Sequence, residues 1–146
     1  MRWPRTLTIP RSPDFVVGSE SDPYLRRWNI LPRNRWCGLY LHNFLRSDDE
    51  RAMHDHQYDN VSVLLWGRYQ EVTTRGTFLR SPFRPVFRRA ETPHRVVLVE
   101  DRPVWSLFFM GPRRREWGFH CPAGWRHWTK FVEQRPGGNQ IGPGCE

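Results

Sequence analysis

Lysine is almost missing from this chain: of its 23 basic residues 22 are arginine, and Lys130 stands alone. A surface that grips nucleic-acid phosphates ordinarily mixes the two, so a formal net charge of +8 on 146 residues does not by itself point to a nucleic-acid partner. Cysteine is scarce as well. Cys37, Cys121 and Cys145 cannot form a closed disulfide framework without a leftover thiol, and a reducing cytoplasm is the simplest home expected for them. Long apolar runs are absent. The best, Val61 to Trp66, is interrupted by Ser62 and falls far short of the roughly eighteen residues of a membrane helix. The arginines near the N-terminus have no apolar stretch behind them, so no secretory signal is expected.

Aromatic mass and turn residues are plentiful. Eight tryptophans and nine phenylalanines supply bulk for a core, while 13 prolines and 11 glycines at 38% hydrophobic content describe a folded, loop-rich chain of one-domain size. Residues 1–13, with prolines at 4, 10 and 13, read as an extended arm. Residues 14–133 read as the domain, and 134–146, carrying Pro-Gly-Gly and Gly-Pro-Gly, as a flexible tail. Asp22-Pro23 followed by Tyr24, Leu25 and Trp28 predicts a short N-terminal helix that Pro32 stops. Two-residue alternation between Pro, Gly and charged turns predicts strands at 36–45, 61–66, 69–73, 86–89, 95–99, 104–110 and 116–121. Many short strands at this spacing mean an all-β sandwich or barrel.

The chemistry is concentrated in histidine. In an extended segment His54 and His56 point to the same side, so His54-Asp-His56 is the start of a divalent metal site whose next ligand must come from elsewhere. His94, after a proline turn and at the head of an apolar strand, is the best candidate. His42 lies on an apolar strand, as a pocket residue or as a hydrogen-bonded core histidine. His120, Cys121 and His127 match no common zinc spacing, and the Cys121 thiol is expected to be packed. Arg113-Arg-Arg115 is a solvated turn or part of a basic patch; nearby, Trp117, Phe119, Trp125 and Trp128 are either a base-stacking surface or the seal of one barrel end.

The order His-x-His, strand, Gly67, strand and then Pro85 to His94 resembles the two-motif pattern of the cupin superfamily. Asp22-Pro-Tyr-Leu-Arg-Arg-Trp28, Arg46-Ser-Asp-Asp-Glu-Arg51, His54-Asp-His-Gln-Tyr-Asp59 and Gly111 to His120 together resemble a small single-domain cupin group common in bacteria and phages. The resemblance implies a cupin-type double-stranded β-helix, a jelly-roll barrel, with a metal held by His54, His56 and His94. One departure is plain. Where many cupins carry a glutamate ligand, this chain has Asn60, preceded by Asp59. The site is then three histidines, or three histidines with Asp59 as a fourth ligand; otherwise Asp59 pairs with an arginine or caps a turn.

Such a site implies a metal-dependent enzyme, with Fe(II) first and Mn, Ni or Zn as alternatives. An oxygenase-type reaction on a small, anionic molecule heads the expectations, with isomerase, decarboxylase and lyase chemistry beside it. Asp59 and Tyr58 are the candidate catalytic groups, and His42, Asn60 and Ser62 the candidate pocket contacts. A non-catalytic binding cupin and a phage-type nucleotide- or DNA-modifying enzyme are the alternatives, and a homodimer through sheet edges is expected of the fold.

Overall fold

The structure, a computed structural model, describes residues 9–19, 21–32, 34–48 and 51–146. Its strands are β1 (Phe15–Gly18), β2 (Pro23–Asn29), β3 (Gly38–Phe44), β4 (Met53–His54), β5 (Asn60–Trp66), β6 (Tyr69–Thr73), β7 (Gly76–Arg80) and β8 (Val86–Arg88), followed by β9 (His94–Leu98), β10 (Val104–Met110), β11 (Gly118–Cys121), β12 (Gly124–His127), β13 (Val132–Arg135) and β14 (Gly138–Ile141). A four-residue helix, α1 (Trp128–Phe131), lies between β12 and β13. An eight-stranded sheet runs β13-β14-β1-β2-β3-β10-β5-β8, and a six-stranded sheet runs β12-β11-β4-β9-β6-β7. Both are antiparallel except where β1 meets β14. This is the expected jelly-roll barrel.

Period-two alternation decides what faces inward. In β5 Asn60, Ser62 and Leu64 are buried while the residues between them are not, and in β9 His94, Val96 and Leu98 repeat the pattern. Leu64, Tyr69, Val96, Leu98 and Val104 pack as one apolar cluster. A second gathers Ala52, Phe119 and Phe131, with the Phe119 and Phe131 rings stacked 3.6 Å apart. The strands at 69–73 and 104–110 stand where the sequence predicts them.

Three expectations need correction. The predicted N-terminal helix is the strand β2. Leu25 and Trp28, three residues apart, suggested one helical face; in the strand they lie on opposite faces, and both are covered. Leu25 turns to the cavity, while Trp28 stacks on Trp105 at 5.7 Å and donates its indole N–H to the Arg11 carbonyl.

The flexible tail is also a strand. β14 joins the eight-stranded sheet between β13 and β1, and its glycine is a packing requirement, because a Cβ at Gly138 would collide with the Val16 carbonyl. Finally, the Cys121 thiol is bonded to Cys145, closing a separation of 24 residues and tying the chain end to β11. By loop-closure entropy that link stabilises by about 3 kcal/mol. Cys37 is free and exposed. Residues 1–8 of the expected arm lie outside the described residues, as do Asp49 and Glu50 of the Arg46–Arg51 motif.

Candidate metal centre

His54 and His94 face each other directly across the β4–β9 pair, so the ladder itself places their rings side by side, 4.7 Å between centroids. The chain stays extended beyond β4. The N–H groups of Asp55 and His56 donate to the Gly118 and Ala90 carbonyls, which carries His56 to the same face, 5.2 Å from the His54 ring and 5.1 Å from that of His94. One ligand atom from each histidine lies within 4.8 Å of the others.

Their electrostatics suit a metal. Burial lowers His54 to a pKa of about 4 and His94 to about 4, and it lowers His56 well below the ordinary value, with the neighbouring histidines adding to the shift. All three are therefore neutral imidazoles at pH 7, the form that ligates. His94 Nε2 and His56 Nδ1 are buried with no hydrogen-bond partner. Orphaned nitrogens converging on one point leave a need that a divalent cation would meet.

A carboxylate behind the site fixes one ring. Glu71, 1% exposed, accepts from His94 Nδ1 at 2.7 Å, so His94 presents Nε2 to the cluster. The same carboxylate receives Arg80 Nε at 2.6 Å and also pairs with Arg88. Burial alone would raise the Glu71 carboxyl, but its contacts with His94 and Arg88 prevail and hold it below the usual carboxylate range. Arg88 continues the network to Ser62 Oγ at 2.7 Å and the Tyr69 hydroxyl at 3.3 Å. On the other flank His54 Nδ1 lies 3.7 Å from Asp48, whose carboxylate accepts the Val96 N–H at 2.6 Å. Between the two motif histidines, Asp55 turns away from the cluster to the β11–β12 hairpin. It accepts from Gly118 N–H at 2.8 Å and from the Trp125 indole and the His120 ring at 3.0 Å each, and pairs with Arg115 at 2.9 Å.

The other candidate residues divide. Asp59 is not at the site: its carboxylate accepts the Ala90 N–H at 2.8 Å and pairs with Arg114 at 2.6 Å, and these contacts hold it below its ordinary pKa. No bulge brings it inward; alternation from His56 prevails and buries Asn60 instead. Asn60 donates to the Tyr58 carbonyl at 3.3 Å and does not line the cavity. His42, Ser62 and Tyr58 do line it, a space of about 1440 Å³ that also takes in the three clustered histidines. His120 and His127 are engaged by Asp55 and Glu116 rather than by one another. The arginine run is spent on acids: Arg113 on Glu116, Arg114 on Asp59 and Glu91, and Arg115 on Asp55. Trp117 and Trp128 stack on each other at 5.7 Å.

Sequence reasoning missed Glu71, Arg88, Asp55 and Asp48. Parity held the signal for the first, since Glu71 is two residues from the inward Tyr69 in a strand that was predicted correctly. Arg88 reverses the usual rule, going inside while its neighbour Phe87 is 64% exposed, and no local pattern announces that.

No protein-family model and no curated protein matches this chain. Solved structures do match it. A sugar phosphate isomerase of the cupin superfamily from Silicibacter pomeroyi superimposes with a TM-score of 0.53 at 16% identity, over 82% of this chain and 84% of that one. The chain has the cupin fold. FeII HppE matches this cupin domain with a TM-score of 0.53 at 11% identity, over 63% of this chain and 52% of that one. The DMSP lyase DddQ from Ruegeria pomeroyi matches it at 0.51 and 15% identity, over 60% of this chain. The cupin domain spans about half the length of that lyase, 47% of it being covered.

Proposed function

We propose that this cupin is a metal-dependent enzyme whose ion is held by His54, His56 and His94 and whose substrate is a small anionic molecule. One observation carries the reading: three neutral histidines converge, two of them with buried, unpartnered ring nitrogens. A divalent ion bound there would act as a Lewis acid with coordination positions open to substrate and, if it is iron, to dioxygen. Glu71 fixes the His94 tautomer. Tyr58 lines the cavity and is the remaining candidate for proton transfer or substrate contact, with His42 and Ser62 beside it.

An oxygenase-type reaction with Fe(II) is the first form of the proposal, and the structural match to FeII HppE supports it. The second is redox-neutral lyase or isomerase chemistry, with Mn, Ni or Zn as well as iron, which the likeness to a DMSP lyase and a sugar phosphate isomerase supports. Protein loaded with each metal in turn and offered keto acids, thiols, sugar phosphates and nucleotides separates them. Oxygen uptake supports the first form and anaerobic turnover the second; inertness with every metal rejects both in favour of a binding protein.

Two further parts of the proposal concern setting. The cytoplasmic home expected from the sequence is at odds with the Cys121–Cys145 disulfide, which a reducing compartment would open, and thiol titration of protein isolated without reductant tests it. A homodimer would pair through the edge strand β7, where Phe78 is 43% and Leu79 54% exposed, and sedimentation equilibrium tests it. Among the described residues no helix is long and apolar enough to cross a membrane.

A further inference from the structure

One positive charge on the cavity wall has no acid beside it. Arg27 of β2 faces His42 of β3 in the ladder and donates its Nε–H to His42 Nε2 at 3.2 Å. Its guanidinium lies over the Tyr40 ring, 4.4 Å from the centroid, and 5.1 Å from that of Phe15. Among the described residues neither a carboxylate nor any other acceptor meets its two terminal nitrogens.

Most other charges around the cavity are matched, and the exception, Arg35, lies over the Trp36 ring at 4.8 Å with nothing among the described residues fixing its Nε. Glu71 has Arg80 and Arg88, and Asp55 has Arg115, while Asp48 accepts a backbone N–H. Four further arginines at the rim are engaged: Arg46 with Asp22, Arg51 with the Gly142 carbonyl, Arg113 with Glu116, and Arg135 with the Gly18 carbonyl.

An arginine whose Nε is committed and whose plane is held by two aromatic rings presents its terminal nitrogens as a fixed fork. That fork matches the paired oxygens of a carboxylate or phosphate. Packing links it to the metal centre, because the His42 ring stacks on Phe108 at 5.2 Å and Phe108 lies 5.7 Å from the His56 ring. Arg27, Tyr40, His42, Phe108 and the three histidines line one cavity.

We infer that Arg27 is the anion anchor of this cavity, taking the carboxylate or phosphate of a small molecule whose other end reaches the metal. The inference deepens the proposed function and rests on it for the metal alone. Binding of the anion at Arg27 requires no ion.

The test is calorimetric titration of succinate and of inorganic phosphate into wild-type protein, metal-free and Co(II)-loaded, beside Arg27→Gln, Arg27→Lys and Arg113→Gln. Wild-type protein binds one of these anions saturably without metal, and the tighter of the two names the group. Arg27→Gln weakens that binding about 10- to 100-fold. Arg27→Lys restores only part, because an ammonium cannot keep both the His42 contact and the fork; if Arg27→Gln does not fold, this variant carries the comparison. Arg113→Gln binds as wild type. Equal losses in Arg27→Gln and Arg113→Gln, undiminished binding in both Arg27 variants, or no anion binding by the wild type overturns the inference. Co(II) absorption is read in the same samples. If cobalt fails to load while anion binding still follows Arg27, the metal reading falls and the anchor stands.

Discussion

Glu71 and Asp55 are both sealed from solvent, at 1% and 0% exposure, and both belong to the surroundings of the clustered histidines, yet they act on different things. Glu71, in β6, bonds to the His94 ring itself and is flanked by Arg80 and Arg88, so it sets which nitrogen faces the histidine cluster. Asp55 touches none of the three rings by hydrogen bond. Its partners are a backbone N–H, an indole, His120 and Arg115, and Arg115 also donates to the His56 carbonyl at 3.3 Å. One carboxylate holds the ring of a clustered histidine, and the other holds the strand segment that carries the other two. Burial and charge alone do not distinguish a residue that tunes a metal from one that braces it; the atoms it touches do.

The largest effect expected from breaking this contrast comes from Glu71→Ala. It leaves Arg88, 5% exposed, without its counter-charge, and thermal or denaturant unfolding should register a loss of roughly 3–5 kcal/mol. Glu71→Gln keeps the volume and weakens metal affinity about 10- to 100-fold by loosening His94.

Asp55→Asn comes next. It keeps an acceptor for the Gly118 N–H but gives up the Arg115 ion pair, for a stability loss of about 1–3 kcal/mol and a smaller drop in metal affinity than Glu71→Gln. Equal drops in the two variants would erase the contrast.

Acidity gives a third test. His54 and His94 have folded pKa values of about 4 against an ordinary value near 6.5, so between those limits the unfolded chain takes up protons that the folded chain refuses. Metal-free protein should therefore hold its full stability above about pH 6.5 and lose up to about 1.4 kcal/mol per pH unit per histidine as the pH falls toward 4. Glu71, with its depressed carboxyl, extends the loss to lower pH still. Urea midpoints at pH 7.5, 5.5 and 4.5 read it; a midpoint that does not move would contradict neutral, buried histidines. The smallest effect is that of Asp59→Ala, which should leave metal stoichiometry unchanged because Asp59 is engaged by Ala90 and Arg114.

The legible parts of this molecule were those written in local alternation. β6 and β10 were readable to the residue, and the same two-residue parity put His54 and His56 on one face, while His94 joined them as the candidate that the cupin resemblance implies. What was not legible depended on layers added from far along the chain. β2 looked helical because its outer face is covered by residues near Arg11, and β14 looked like a tail because its glycine, Gly138, serves close approach to β1. Arg88 and Glu71 could each be placed on a strand, but their pairing across 17 residues of sequence was invisible. Charge left two readings open in the same way. The run Arg113 to Arg115 read as a solvated turn or part of a patch, and it is matched arginine by arginine with four acids.

The central claim is that one ion sits among His54, His56 and His94. Metal content by mass spectrometry, on wild-type protein and on His54→Ala and His94→Ala after reconstitution with Fe, Mn, Ni and Zn and desalting, tests it most directly. The expected result is about one divalent ion per chain in the wild type and under a tenth of that in either variant. Stoichiometric metal persisting in both variants, or none retained by the wild type with any of the four metals, would contradict it.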